Sequence, residues 1–262
     1  MATTKAKHVT SRIALLIDAD NAPASRIGAL LAELAKYGVA SARRIYGDFT
    51  SPQLAAWKKV LLDHSIQPVQ QFAYTRGKNA TDSALIIDAM DLLYSERFDA
   101  FALVSSDSDF TRLAQRLREA GMAVYGFGER KTPSPFVRAC DRFFHVEVLG
   151  EEPDEAPDAG PDAPTEASKP RKAAALAAPH RLLERAISES SDEEGWSHLS
   201  EVGNYLTKLQ PDFDARTYGK RKLSDLVKSL PDLLEIEERP GAQGSRAIYV
   251  RVKRKAPPRR RR

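Results

Sequence analysis

The sequence has a single cysteine, Cys140, among 262 residues. One cysteine can form neither an intramolecular disulfide nor a cysteine-based zinc site, and such sparse use is typical of a reducing compartment. No run approaches the ~18 apolar residues of a membrane span, and the polar N-terminal sequence MATTKAKHVTSR lacks the apolar segment of a signal peptide. The five histidines are scattered, and none belongs to a well-placed Ser-His-Asp or Cys-His set. From the single cysteine, the lack of a long apolar run and the polar N-terminal sequence, we expect a cytoplasmic protein that contacts no membrane.

Each of two segments lacks charge of one sign. The net charge is only +4, but residues 151–166 contain no lysine or arginine, and residues 251–262 contain no aspartate or glutamate. Such asymmetry indicates a polyanionic partner for the basic end, and a disordered, solubilising tail is the alternative interpretation.

Apolar strands and amphipathic helices alternate over residues 9–150. The predicted strands are 12–18, 39–47, 67–72, 100–106, 122–128 and 143–149. Two of the predicted helices begin near Pro23 and Pro52, and two more cover 81–94 and 109–120. This alternation predicts an α/β domain in which a parallel sheet carries helices on both faces. Ligands of such sheets bind beyond the carboxyl ends of the strands, so we expect the chemistry to lie at that edge.

The remainder of the chain divides into three segments by composition. Residues 151–175 are rich in proline, alanine and acidic residues with few apolar anchors, which predicts a linker. Residues 176–253 predict three helices, the third over 216–229, and a hairpin with a glycine-containing loop. That set of elements is a small winged-helix domain, and residues 254–262 form a basic tail.

Aspartates follow two of the predicted strands in a D-x-D pattern. Asp18 and Asp20 close the first strand, and Asp107 and Asp109 follow the strand AFALVSS. Asp82 begins the helix that precedes this second strand. Carboxylates that converge at one sheet edge repel each other unless protons or a cation neutralise them. A hard divalent ion such as Mg²⁺ takes oxygen ligands, so the pattern predicts a metal site.

These acidic positions also have structural interpretations. Asp20 or Asn21 can cap the helix that follows, and Asp109 can cap its own helix. Asp82 lies in a helical first turn, where an acidic side chain interacts favourably with the helix dipole. The metal-site interpretation depends on the coincidence of D-x-D at two strand ends that are predicted to share one edge.

A family resemblance is carried by the segments LLIDADNA, GKNATDSALIIDAMDLL and FALVSSDSDFTRLAQRLREAGMAVYGFG. In order and spacing they resemble the LabA-like group of NYN domains, over about residues 12–149. The resemblance implies a PIN-like Rossmannoid fold, a metal-dependent nuclease site and RNA substrates. It implies Mg²⁺ or Mn²⁺ as the cofactor, with Asp20 as an additional candidate ligand. The catalytic and metal-binding residues that it implies are Asp18, Asp82, Asp107 and Asp109.

Polar and basic residues near the predicted edge are candidates for substrate binding. Asn21 matches the polar residue that the family has near its site. Lys78, Asn79, Arg130 and Lys131 lie on loops predicted near the same edge, where cations can hold phosphates outside the metal centre. Ordinary surface loops are the alternative explanation for these residues.

The C-terminal part carries a second resemblance, in the segment FDARTYGKRKLSDL and its neighbours. Over about residues 176–253 it resembles a LOTUS (OST-type helix-turn-helix) domain, which implies RNA binding and, in some members, binding of structured guanine-quadruplex RNA. The candidate RNA-binding residues cluster at the predicted start of the third helix, the usual contact element of helix-turn-helix folds. They are Arg216, Tyr218, Lys220, Arg221 and Lys222.

These patterns predict a ribonuclease that cleaves phosphodiester bonds with a metal-activated water and recruits RNA through its C-terminal module. One alternative is a non-catalytic RNA-binding regulator with a vestigial site. Another is a haloacid dehalogenase-like phosphatase, since D-x-D after the first strand recurs there. That family expects threonine or valine after its second aspartate, where this sequence has Asn21.

Overall fold

The chain forms two compact units, Met1–Gly150 and Glu151–Arg262. The structure is a computed structural model, and it describes residues 10–72, 80–150, 179–240 and 246–253. Each unit has its own hydrophobic core. Over the described ranges, no helix combines the length and apolar character that crossing a bilayer requires.

The first unit is built around a six-stranded parallel sheet. Its strands are β1 (Arg12–Asp18), β2 (Val39–Gly47), β3 (Gln67–Gln70), β4 (Ala100–Val104), β5 (Ala123–Gly128) and β6 (Arg142–His145). They lie in the order β3-β2-β1-β4-β5-β6. The chain first builds the sheet outward from β1 in one direction and then returns to the other side of β1. A topological switch point therefore lies between β1 and β4, which is where open α/β sheets bind ligands.

Five α-helices accompany this sheet in the described residues. They are α1 (Ile27–Leu34), α2 (Ala55–Val60), α3 (Ala80–Tyr94), α4 (Thr111–Glu119) and α5 (Ser134–Ala139). The core cluster on one face contains residues of α1 and α2, and the cluster on the other face contains residues of α3, α4 and α5. The sheet is thus covered on both sides.

Strand β1 illustrates why the central strands of the sheet consist of continuous apolar residues. Ile13, Leu15 and Ile17 belong to the core cluster on one face, and Ala14 and Leu16 belong to the cluster on the other. All five are completely buried. Because successive side chains of a strand point to opposite faces, a strand that is covered on both faces needs apolar residues at every position.

The predicted α/β fold with a parallel sheet is confirmed, with differences at element ends. The helices expected near Pro23 and Pro52 begin as short 3₁₀ turns, and the last strand ends at His145, followed by a 3₁₀ turn at Val146–Val148. Helix α5 was not predicted. Pro133 and Pro135 lie at its start, where proline is tolerated because the first helical N–H groups have no partner within the helix.

The second unit has three α-helices and a small antiparallel sheet in its described residues. Its elements are α6 (His180–Ser190), β7 (Ser197–His198), α7 (Leu199–Leu209), α8 (Leu223–Lys228), β8 (Leu234–Pro240) and β9 (Arg246–Val252). The sheet order is β7-β9-β8. The predicted hairpin is confirmed, and the additional strand β7 pairs with β9.

The predicted third helix over residues 216–229 is wrong. A 3₁₀ turn covers Ala215–Tyr218, and α8 does not begin until Leu223. Gly219 separates the two with φ 72°, a left-handed conformation that glycine adopts without steric cost and that ends a helical segment.

We predict that residues 1–150 fold when expressed alone. Both core clusters of the first unit consist entirely of residues from that unit, so its hydrophobic stabilisation is retained in the fragment. Thermal unfolding followed by circular dichroism should show one cooperative transition. A fragment without such a transition would contradict the independence of this unit.

Candidate metal centre and nucleic-acid interface

The acidic residues meet at the switch point of the sheet. Strands β1 and β4 pair in parallel, with Ile17 opposite Val104. Asp18 ends β1, and residues 105–110 follow β4 as a short loop and a 3₁₀ turn. Gly128 closes the neighbouring strand β5, and a Cβ there would lie 2.6 Å from the main-chain oxygen of Ser105. Glycine at this position therefore lets the ends of β4 and β5 approach closely.

Asp18 is buried, with 1% of its surface exposed, and its carboxylate accepts several hydrogen bonds. Oδ2 accepts from Asn21 Nδ2 at 2.8 Å and from the Ser105 hydroxyl at 2.7 Å, and Oδ1 accepts from the Asp20 main-chain N–H at 3.1 Å. A buried carboxylate requires such donors, because an unsatisfied one is strongly destabilising. These bonds fix the orientation of Asp18 at the sheet edge.

Ser105 is a residue of this site that the sequence reasoning missed. Its hydroxyl donates to Asp18 on β1 and accepts from the Asp107 main-chain N–H at 3.0 Å, so it connects the two D-x-D segments. It is 1% exposed. A serine at the end of a strongly apolar strand was the available signal, since a buried hydroxyl needs a polar partner.

Three carboxylates form the group that can hold a metal ion. One oxygen each from Asp82, Asp107 and Asp109 lies within 4.8 Å of the others. Asp107 caps the 3₁₀ turn, and its Oδ1 accepts from the Asp109 main-chain N–H at 2.9 Å. Asp18 is outside this group. The structure thus brings three of the four predicted ligands together and places the fourth, hydrogen-bonded, beside them.

Burial and mutual repulsion both raise the pKa of carboxyl groups at this edge. Burial, followed by the negative charges of Asp18, Asp107, Asp109 and Asp20, raises the pKa of Asp82 from 3.8 to about 6. Burial also raises the pKa of Asp20, and the negative charges of Asp18 and Asp48 raise it further. A divalent cation with a preference for oxygen ligands would relieve this repulsion, so the donor set fits Mg²⁺ or Mn²⁺.

The predicted substrate-binding residues have different surroundings. Asn21 is engaged with Asp18. The Arg130 main-chain N–H donates to Glu147 Oε1 at 2.9 Å, and Lys131 Nζ lies 2.7 Å from Glu129 Oε2 on a largely exposed side chain. Both basic residues follow β5, at the carboxyl-end edge of the sheet. Lys78 and Asn79 lie outside the described residues.

The predicted RNA-binding residues of the second unit fall into two groups. Arg216 forms an ion pair with Asp214 at 2.6 Å, and the ring of Tyr218 packs 5.8 Å from that of Phe213. These two residues lie on the 3₁₀ turn rather than at the start of a helix. The other group, Lys220, Arg221 and Lys222, lies in the turn between Gly219 and α8, and we call it the basic turn.

The basic turn differs from the hairpin in how its charges are compensated. Within the part of the chain that the structure describes, none of its three residues forms an ion pair. Four basic residues in and around the hairpin instead pair with glutamates. Those pairs are Lys228 and Arg246 with Glu238, Arg239 with Glu237, and Arg251 with Glu235.

The model of the NYN domain matches residues 12–147. The chain belongs to the NYN family. The NYN domain is part of the PIN-like nuclease superfamily, as the sequence resemblance implied. The OST-HTH/LOTUS domain model matches residues 174–245, which confirms the second resemblance and identifies an RNA-binding type of module.

Solved structures of three bacterial proteins are similar to parts of this NYN–LOTUS chain. An uncharacterised protein of Nitrosomonas europaea is 44% identical, with 36% of this chain and 94% of that chain covered and a TM-score of 0.29. A protein of unknown function from Vibrio parahaemolyticus is 18% identical, with 53% and 94% covered and a TM-score of 0.44. A Chromobacterium violaceum protein is 32% identical, with 29% and 82% covered and a TM-score of 0.26. No curated protein matches the chain.

We predict that Asp82→Asn stabilises the NYN domain in a pH-dependent way when divalent ions are removed with EDTA. Because the folded-state pKa of Asp82 is raised, the folded state loses stability relative to the unfolded state as pH rises from 3.8 to about 6. Asparagine cannot ionise and escapes this loss. The melting temperature of the variant should therefore exceed that of the wild type more at about pH 8 than at about pH 4.

Asp91→Asn is the matched control for this experiment, because Asp91 lies exposed on the same helix, α3. It should change the melting temperature little at either pH. A difference between Asp82→Asn and wild type that does not grow with pH would contradict the raised pKa of Asp82.

Proposed function

We propose that this NYN protein is a metal-dependent ribonuclease whose LOTUS domain binds the RNA. The observation that carries the proposal is the group of three carboxylates at the switch point, with oxygens within 4.8 Å of one another. Membership of a nuclease superfamily and the adjoining LOTUS domain support it. RNA phosphodiester bonds are the proposed substrate.

In this proposal Asp82, Asp107 and Asp109 hold Mg²⁺ or Mn²⁺, and Asp20 is an additional candidate ligand. A bound divalent ion supplies charge neutralisation of the scissile phosphate and activation of the attacking water. Asp18 adds negative charge beside the group. Asn21 and Ser105 orient Asp18 through their hydrogen bonds, which supports positioning roles for both.

Basic residues around the edge are proposed to guide the RNA backbone. Arg130 and Lys131 follow β5 at the carboxyl end of the sheet, within the loop that leads to α5. Cations in such loops contact phosphates and position the strand without reading its sequence. Lys78 and Asn79, which precede α3, are proposed for the same role from their place in the sequence.

Two other functions, an RNA-binding regulator and a phosphatase, are the alternatives to the proposed ribonuclease. A non-catalytic RNA-binding regulator would bind RNA through the LOTUS domain and leave it intact. The haloacid dehalogenase-like phosphatase is disfavoured by the NYN match over residues 12–147. The intact set of carboxylates favours a nuclease over a vestigial site, because a site without chemistry has no need to retain mutually repelling charges.

We predict that the 262-residue protein cleaves a mixture of single-stranded and structured RNA in Mg²⁺ or Mn²⁺ and not in EDTA. Asp107→Asn should abolish cleavage, because it removes one ligand charge from the group of three. The fold should persist, since the change also removes a repelling carboxylate. Gel electrophoresis of labelled RNA measures the first result, and circular dichroism measures the second.

Asp91→Asn, with the same change of charge on the exposed face of α3, should cleave like the wild type. A wild type that binds RNA but never cleaves it would establish the regulator instead. An Asp107→Asn variant that cleaves normally would show that Asp107 is not a catalytic residue.

The basic turn is proposed as the main phosphate-binding element of the LOTUS domain. Its three cations have no described ion-pair partner, whereas those of the hairpin are paired with glutamates. A paired cation must give up its partner before it can bind phosphate, so unpaired cations contribute more to affinity. Arg216 and Tyr218 are proposed to support the shape of this element and to contact structured RNA, including guanine-quadruplex RNA.

We predict that Arg221→Ala with Lys222→Ala weakens RNA binding and flattens its dependence on salt. Each phosphate contact contributes roughly 0.7 for single strands to roughly 0.9 for duplexes to the log–log salt slope. Loss of two contacts should therefore lower the slope by roughly 1.4 to 1.8. Fluorescence anisotropy with single-stranded and guanine-quadruplex RNA at several salt concentrations measures this change.

Lys228→Ala with Arg246→Ala is the matched control, because it removes the same charge from residues that pair with Glu238. Its salt slope should stay near that of the wild type. Equal losses in the two double variants would show that net charge, rather than the basic turn, governs binding.

A further inference from the structure

Asp88 lies at the centre of a polar network that joins α3 to β2. The Tyr46 hydroxyl donates to Asp88 Oδ2 at 2.5 Å, and Arg44 Nη1 donates to Asp88 Oδ1 at 2.5 Å. Both oxygens of one carboxylate are therefore bound by side chains of a single strand. Charge-assisted hydrogen bonds of this kind are shorter and stronger than neutral ones and fix geometry.

The network is largely shielded from solvent. Tyr46 is completely buried, and the side chains of Arg44 and Asp88 are 28% and 24% exposed. Burial, with the hydrogen bond and charge of Asp88 after it, raises the pKa of Tyr46, so the phenol remains a hydrogen-bond donor at neutral pH. Asp88 therefore has a fixed, protonated donor on one side and a guanidinium on the other.

The position of this network relates it to the carboxylates of the switch point. Tyr46 lies opposite Asp18 in the parallel register of β2 and β1. Asp82 lies in the first turn of α3, six positions before Asp88, which corresponds to a rise of about 9 Å along the helix. The network therefore ties α3 to the sheet less than two turns from a proposed metal ligand.

The remaining contacts of α3 with the sheet are mainly apolar. Its buried residues are Leu85, Ala89, Leu92 and Leu93. Apolar burial is non-directional and defines the position of a helix along a sheet only through side-chain shape. The bonds of Asp88 add direction, because each of its oxygens faces one donor on β2.

We propose that Asp88 is a positioning residue for the metal centre: through Arg44 and Tyr46 it sets the position of α3 along the sheet and so holds Asp82 beside Asp107 and Asp109. This inference rests on the proposed metal-dependent function of the same site. It assigns Asp88 no contact with metal or RNA. Residues that support metal ligands typically change metal affinity by about 10- to 100-fold when they are lost.

The test is a calorimetric Mn²⁺ titration of the 262-residue protein, at a temperature where circular dichroism shows each variant to be folded. Asp88→Ala should bind Mn²⁺ about 10- to 100-fold more weakly than the wild type. Tyr46→Phe, which removes a single hydroxyl, should weaken binding less. Asp91→Ala removes the same charge from an exposed position of α3 and should bind like the wild type.

Asp88→Asn separates geometry from charge. Asparagine has the same shape, and its amide can accept from Arg44 and donate to the Tyr46 oxygen, so most of the affinity should return. If Asp88 acted by its charge, Asp88→Asn would bind as weakly as Asp88→Ala, and the positioning role would be overturned. If Asp88→Ala does not fold, Asp88→Asn and Tyr46→Phe are compared with the wild type instead. Mn²⁺ binding near the wild-type affinity in Asp88→Asn and weaker binding in Tyr46→Phe would support the positioning role. Weak binding in Asp88→Asn with unchanged binding in Tyr46→Phe would overturn it.

The outcomes also distinguish this inference from the proposed function. A wild type that binds no Mn²⁺ would overturn both. A wild type that binds Mn²⁺, together with an Asp88→Ala variant that melts at a lower temperature but binds with unchanged affinity, would overturn the positioning role alone. In that case the network stabilises the fold and does not act on the metal centre.

Discussion

Repulsion among carboxylates at the start of α3 and at the ends of β1 and β4 is the constraint on which the rest of the site depends. Oxygens of Asp82, Asp107 and Asp109 lie within 4.8 Å of one another, and burial with the surrounding charges raises the pKa of Asp82 to about 6. Such a group lowers the stability of the fold unless a cation binds. The fold therefore needs other interactions to hold these side chains together, and the doubly covered parallel sheet provides the rigid frame.

Hydrogen bonds between distant segments supply the local restraint that the apolar core cannot. Ser105 joins β1 to the loop after β4 through Asp18, and the Asp107 carboxylate orders its own 3₁₀ turn. Asp88 ties α3 to β2 through two further bonds. Every element that carries one of the clustered aspartates is thus attached by a directional polar contact, which apolar burial alone does not provide.

The candidate metal centre of the NYN domain and the basic turn of the LOTUS domain carry charge of opposite sign. This difference suits the proposed function, in which the first domain cleaves RNA and the second binds it. The candidate metal centre is acidic and repels phosphate until a cation neutralises it. The basic turn of the LOTUS domain is a concentration of positive charge without described ion pairs, in contrast to the paired arginines of the hairpin. Since phosphate contacts depend on available cations, we infer that the turn contributes more to RNA attraction than the hairpin does.

The sequence by itself determined the alternation of strands and helices, the two family resemblances and the D-x-D pairs at the strand ends, because periodicity, turn residues and motif spacing are local properties. It did not reveal α5, and it predicted one continuous helix where Gly219 breaks the chain with a positive φ. Only the tertiary structure revealed the contacts of Ser105 and Asp88. Their partners, Asp18 and Arg44, lie 87 and 44 residues away along the chain, and no local pattern specifies a contact at that separation until the sheet has formed.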